Sequence, residues 1–168
     1  TPAHTIQVSA YSEKCELKRA YCRLLVPEAK DLGPFSEDTA SLLAGVDVLF
    51  AGFHCEPFIN CGLQKRSADP RAGSVMQTAH AQMQLHPHLA VWENVVEFFN
   101  DDHIHGLLSE ASEYLRQCMH LYPVLFVYDS QLGGPLCRPQ GFGFWECLDA
   151  YYRLPPWSLT FPVQPASS

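Results

Sequence analysis

Cys55 and Glu93 are the residues whose types and surroundings could do chemistry together. Cys55 stands in Gly52-Phe53-His54-Cys55-Glu56-Pro57-Phe58, directly after the apolar run Val46-Asp47-Val48-Leu49-Phe50-Ala51. A buried strand that breaks at glycine and at once presents a thiol holds a nucleophile at the mouth of an α/β sheet. A second apolar run, Leu89-Ala90-Val91-Trp92, stops abruptly at Glu93-Asn94-Val95. If the two strands are parallel neighbours, one strand end offers a nucleophile and the other a carboxylic acid able to hold a proton. Taken singly, a cysteine after a strand is most often packing and a glutamate there is as often solvated as catalytic. The pair is what points to an enzyme.

Several elements must position these groups. Thr5-Ile6-Gln7-Val8-Ser9-Ala10-Tyr11 alternates and reads as a strand. Ser12 and Glu13 then cap a helix with an apolar stripe of Cys15, Leu17, Tyr21, Cys22 and Leu25, stopped by Pro27. Asp31-Leu32-Gly33-Pro34 is a short extended piece and a turn, and residues 36–44 form a short helix ended by Gly45. Helices are expected over residues 74–85 and through Leu107, Leu108, Ala111, Leu115 and Cys118. Further strands are expected over residues 123–128 and, more weakly, at Phe142-Gly143-Phe144-Trp145. Strands alternating with helices predict crossover units, a parallel sheet and a ligand site beyond the carboxyl ends of the strands. Glu13, Cys55, Glu93 and the Gly133–Arg138 loop would gather on that one rim.

The chain has 168 residues, 47% hydrophobic and 17% charged, which is enough for one folded domain. Its net charge of -7 and the lack of any Lys/Arg cluster leave no broad basic face for gripping a phosphate backbone. Seven cysteines make an odd number and form no C-x-x-C pair, so free thiols in a reducing compartment are expected. No secretory signal and no membrane-length apolar segment is visible, which places the chain inside the cell, in nucleus or cytoplasm. His86-Pro87-His88 and His103-Ile104-His105 lack companion ligands at zinc-like spacing, so they read as loop histidines and no metal is expected. Without Met at Thr1, further sequence upstream is expected.

In order and spacing, these blocks resemble the catalytic core of the cytosine-C5 methyltransferases, which act on DNA and, in one branch, on tRNA. That family's loop, G-x-P-C-Q-P-F-S and then a small residue and Gly, is similar to Gly52 through Gly62 here. Its D-x-R-G block resembles Asp69-Pro70-Arg71-Ala72, and its E-N-V block is intact as Glu93-Asn94-Val95. Ala10-Tyr11-Ser12-Glu13 resembles the acidic end of its second strand, Asp31-Leu32 the acidic block after it, and Pro135-Leu136-Cys137-Arg138-Pro139-Gln140 its P-Q-x-R-x-R block. The resemblance spans Val8 to about Phe144 and, because the family's glycine-rich first block, recognition region and last helix have no counterpart, covers a catalytic half-core.

The resemblance implies a Rossmann-like S-adenosylmethionine methyltransferase fold of the α/β class, a mostly parallel sheet flanked by helices, incomplete. Residues 1–154 would be the partial catalytic domain and 155–168 a Pro/Ser-rich tail or linker. Cys55 would be the nucleophile, Glu93 the acid at the pyrimidine ring and Arg138 a contact to the pyrimidine oxygen or a phosphate. Glu13 would bind the ribose hydroxyls of S-adenosylmethionine and Asp31 its adenine amino group, with Leu32, Glu56 and Asn94 as further cofactor contacts. DNA is the first partner implied, and RNA stays open.

Two departures matter. The family's proline before the cysteine is His54, and its glutamine after it is Glu56, which sets a negative charge beside the thiol. These, with the eroded arginine block, keep open a second reading: a catalytically inactive binding or regulatory module of the same fold. A third is a thiol hydrolase using Cys55 with a distant histidine; His54 itself is poorly placed, since neighbours on an extended backbone point apart. Oligomeric state is not legible.

Overall fold

The computed structural model describes residues 6–43, 45–55, 57, 69–100, 105–117, 124–128 and 140–146. The expected tail at 155–168 and both Arg138 and Glu56 lie outside these residues. Two sheets carry the fold. The smaller joins β1 (Ala10–Tyr11) in parallel to β2 (Lys30–Asp31), with α1 (Glu16–Leu25) between them in the chain. The larger has the order β3 (Val48–Gly52), β4 (Leu89–Val95), β6 (Gln140–Glu146), β5 (Val124–Tyr128). β3 and β4 are parallel, joined through α3 (Ser74–Leu85), while β6 runs antiparallel to both β4 and β5. The remaining helices are α2 (Glu37–Ser41), α4 (Val96–Asn100) and α5 (His105–Gln117). The fold is thus the expected α/β class with a partly parallel sheet.

Local chemistry explains the boundaries. Ser36 opens α2 with a capping box shared with Thr39. Before α3, the Asp69 carboxylate accepts from the Arg71 backbone N–H at 2.9 Å and from the Arg71 guanidinium at 2.7 Å, so a short 3-10 turn over Pro70–Gly73 leads into the helix. α3 ends where His86 takes a left-handed conformation (φ 45°), its N–H donating to the Gln82 carbonyl at 3.0 Å, and Pro87 cannot continue the helix.

The core is aromatic and lies on the helix-covered side of the larger sheet. Trp92 of β4 and Trp145 of β6 are fully buried with ring centroids 4.1 Å apart, and Phe98 and Phe99 of α4 lie among them. Val75 and Ala79 of α3 and Leu108, Ala111 and Leu115 of α5 complete the layer. The Trp92 indole N–H donates to the buried Gln82 Oε1 at 2.9 Å, satisfying a donor that would be costly to leave alone.

Three expectations change on contact with the structure. The strand expected from Thr5 to Tyr11 is only Ala10–Tyr11, because its partner β2 is two residues long; Ile6, with no strand to cover it, is exposed. Ser12 and Glu13 do not cap α1: the helix begins at Glu16, while the Ser12 hydroxyl donates to the Gly33 carbonyl at 2.8 Å. The segment around Phe142 is a seven-residue strand at the centre of the sheet, and its glycines are the reason it fits. A Cβ on Gly141 would run into the Phe99 ring, and one on Gly143 would lie 2.8 Å from the Trp145 ring and 3.2 Å from Phe99. Gly141→Ala should therefore overpack the core and cost about 1–3 kcal/mol or more, read as a lower thermal unfolding midpoint; an unchanged midpoint would contradict this packing.

Candidate active site

β3 stops at Gly52, and its register partner on β4 is Glu93. The expectation that Glu93 follows the end of its strand is corrected by one detail: β4 runs on through Val95, because β6 holds it on the other side through the pairs Glu93–Phe142, Asn94–Gly141 and Val95–Gln140. The carboxylate therefore projects from the part of β4 where β3 gives out. A Cβ placed on Gly52 would come within 3.2 Å of Glu93 Oε2, so the half-buried carboxylate lies directly against that glycine. The bare Cα leaves it room.

The loop that leaves Gly52 is pinned at both ends. Phe53 packs edge-on against Trp92 (5.6 Å, 86°) and Phe98 (4.9 Å, 76°), and its carbonyl accepts from the Asn94 side-chain amide at 3.2 Å. Asn94 is buried, and its own Oδ1 accepts from the Val95 N–H. Pro57 is fully buried. Between these anchors stand His54 and Cys55, both half-buried, with Cys55 against the margin of the core and free of any disulfide. His54 Nε2 lies 2.8 Å from Lys14 Nζ. Cys55 thus follows three residues after Gly52, the register partner of Glu93, and the Asn94 side chain ties Phe53 to β4. Asn94, expected among the cofactor contacts, turns its side-chain amide to the Phe53 carbonyl, a contact no spacing could reveal because it depends on β3–β4 register.

Of the residues expected at the cofactor, Glu13, Asp31 and Leu32 sit at the carboxyl ends of β1 and β2. Glu13 is half-buried, its Oε1 accepting the Cys15 N–H at 2.8 Å and its backbone N–H donating to the Gly33 carbonyl. The Leu32 N–H is used by the Tyr11 carbonyl at 3.0 Å. Asp31 is fully engaged: Oδ1 accepts from Arg19 Nε (2.9 Å) and the Gly33 N–H (3.0 Å), Oδ2 from Arg23 Nη1 (2.8 Å) and Arg19 Nε (3.2 Å). The Arg19 guanidinium foremost, helped by the Gly33 N–H and Arg23, holds the Asp31 carboxyl down at about 2. Both arginines also bind Glu16, on the same face of α1. An adenine amino group can reach Asp31 only if an arginine yields its place. As acceptors for S-adenosylmethionine, then, Glu13 has one carboxylate oxygen on the Cys15 N–H and Oε2 left for a ribose hydroxyl, whereas Asp31 is already occupied by Arg19 and Arg23. The i, i+3, i+7 spacing of Glu16, Arg19 and Arg23 sets those three on one face of α1 but does not show that Asp31 joins them.

Among the described residues no group of His, Cys, Asp and Glu is arranged to hold a metal ion, and no helix is long and apolar enough to cross a membrane. His88 instead faces Asp47, its Nδ1 3.3 Å from Oδ1.

Solved structures of similar fold include proteins described as methyltransferases. A protein described as a prophage-encoded DNA modification methyltransferase from E. coli superposes with a TM-score of 0.67 at 16% identity, over 86% of this chain and 41% of that one. The chain has the fold of these enzymes. Spodoptera frugiperda DNMT2 gives a TM-score of 0.61 at 19% identity, over 96% of this chain and 46% of that one. The Entamoeba histolytica methyltransferase EhMeth gives 0.60 at 20%, over 82% and 44%. The chain therefore spans less than half the length of the structures it matches. No family model matches the chain, and no curated protein does.

The Asp31 cluster has a pH signature. Its carboxyl titrates lower when folded than the unfolded value of about 3.9, so its stabilisation is complete above that value and is lost as pH falls towards about 2. Asp31→Asn should lower the unfolding midpoint at neutral pH and differ progressively less from the parent protein as pH drops from about 4 to 2. A difference that does not shrink in acid would show that the ion cluster does not carry the effect.

Proposed function

We propose that this chain is the catalytic half-core of an S-adenosylmethionine-dependent cytosine-C5 methyltransferase acting on DNA, or on RNA, through a covalent adduct on Cys55. The observation that carries this reading is the parallel register that sets Gly52 against Glu93, so that the thiol loop springs from the strand beside the carboxyl group. The fold shared with solved methyltransferases supports it. An intracellular compartment, nucleus or cytoplasm, follows from such a substrate.

The chemistry asks for this pair. Cytosine C5 is a poor nucleophile until something adds across the C5–C6 bond, and the base must first leave its stack to be reached. The Cys55 thiolate adds to C6, forming an S–C6 bond and pushing the π electrons towards C5. Glu93, as a carboxylic acid at N3, neutralises the charge that develops on the ring. Glu13 would hold the ribose of S-adenosylmethionine, which would give C5 an electrophilic methyl group as its S–methyl bond breaks to leave the thioether. Loss of the C5 proton to water and departure of the thiolate then restore the ring. Asn94 anchors the start of the thiol loop to β4 by holding the Phe53 carbonyl. Arg138 completes the assignment as a contact to the pyrimidine oxygen or a phosphate.

One observation favours the second reading, an inactive module of the same fold: Asp31 spends its hydrogen-bonding capacity on Arg19 and Arg23. Trapping separates the two. DNA or RNA containing 5-fluorocytosine, incubated with the protein and S-adenosylmethionine, should yield a denaturation-resistant adduct at Cys55, since fluorine blocks the last elimination. Cys55→Ala should abolish it, and Glu93→Gln should slow it about 10²-fold or more. Cofactor binding in calorimetry with no adduct on either polymer would favour the module. Gly52→Ala is a finer probe: a Cβ 3.2 Å from Glu93 Oε2 must push the carboxylate aside. Adduct formation should slow by about tenfold or more with little change in unfolding midpoint.

A further inference from the structure

Lys14 and His54 are forty residues apart in sequence, yet Lys14 Nζ lies 2.8 Å from His54 Nε2. Each is next to a residue of the proposed site: Lys14 follows Glu13 at the end of β1, and His54 precedes Cys55 at the end of β3. The two strands belong to different sheets, so this bond bridges the carboxyl ends of both. We infer that Lys14 and His54 form a clasp that fixes where Cys55 stands relative to the loop carrying Glu13, so that both act as positioning residues for the thiol. This inference rests on the function proposed above for its purpose, though not for its geometry.

The donor chemistry gives the clasp a defined sense. An ammonium group has three N–H donors and nothing to accept with, so Nε2 of His54 must be the acceptor. The neutral ring then carries its proton on Nδ1. Protonating the ring would remove the acceptor and set two cations against each other. The rest of the thiol loop shows why a restraint at this point matters. Phe53 is held by Trp92, Phe98 and Asn94, and Pro57 by burial, which anchors the two ends of the segment. His54 and Cys55 lie between those anchors. The hydrogen bond to Lys14 adds a restraint on that stretch from the opposite loop. It also links movement on the Glu13 side to movement of the thiol, because Glu13 itself is tied to the Cys15 N–H just beyond Lys14.

The test uses the full chain with Lys14→Met, which keeps the length of the side chain and removes the donor, and Lys14→Arg, which restores one. Lys14 is exposed, so both variants should fold with circular dichroism like the parent. Long-range proton–nitrogen NMR of the His54 ring should show the Nδ1–H tautomer in the parent protein and in Lys14→Arg. In Lys14→Met the proton should move to Nε2. Amide exchange at residues 53–55 should rise by about threefold or more in Lys14→Met and return towards the parent value in Lys14→Arg. The rate of 5-fluorocytosine adduct formation should fall about tenfold and recover in the same order. An Nε2–H tautomer in the parent, exchange unaltered by Lys14→Met, or an adduct rate that ignores Lys14 would each overturn the clasp. A parent protein that shows the tautomer and the exchange pattern but forms no adduct would instead sink the proposed function and leave the clasp as a structural bridge.

Discussion

β4 is gripped from two sides in opposite senses, parallel by β3 and antiparallel by β6, and the whole rim depends on the mismatch in length between those grips. β3 ends at Gly52, but β6 carries β4 two residues further. Glu93, at the last pair with β3, and Asn94, the first residue of the overhang, project to opposite faces of the strand. Asn94 turns inward, where burial makes its amide seek the Phe53 carbonyl. Glu93 turns the other way, over a glycine that offers no side chain to displace it. A one-residue slip of β3 against β4 would exchange those faces and place the amide where the acid stands.

What prevents the slip is the aromatic layer beneath. Trp92 can be buried only in the register that brings its indole N–H to Gln82, and Phe53 only where Trp92 and Phe98 offer their faces. The core and the rim are therefore a single construction: the residue that starts the thiol loop is also a core side chain. Large aromatic groups with few torsions suit this use, since they bury much surface for little lost rotamer freedom.

The strands before Cys55 and through Glu93 were legible because each is an apolar run of strand length. Helix α3 was legible from its punctuation, with Gly73 before it and Pro87 after. The centre of the sheet was half hidden. Phe142 and Trp145 signalled a strand, but Gly141 and Gly143 argue against one until Phe99 and Trp145 are seen lying across them. The beginning of α1 was misread because Ser12 and Glu13 satisfy the composition of a cap, whereas their partners, Gly33 and Cys15, are set by tertiary fold and local turn. The grip of Arg19 and Arg23 on Asp31 was beyond reach for a similar reason: α1 must first return its chain to β2 beside β1. The apolar stripe expected on α1, Cys15, Leu17, Tyr21, Cys22 and Leu25, buries none of its residues among those described: Leu17 is 81% exposed and Tyr21 and Leu25 62%.

Trp92 and Trp145 touch across β4 and β6 at an angle of 39°, sealed from water. Two indoles so near each other share their electronic excitation, and the sign and size of the resulting near-ultraviolet dichroism depend on their mutual tilt. The protein thus carries an internal optical gauge at the seam between its parallel and antiparallel halves. Loosening of that seam changes the gauge even while the helices, and the far-ultraviolet spectrum they dominate, remain intact.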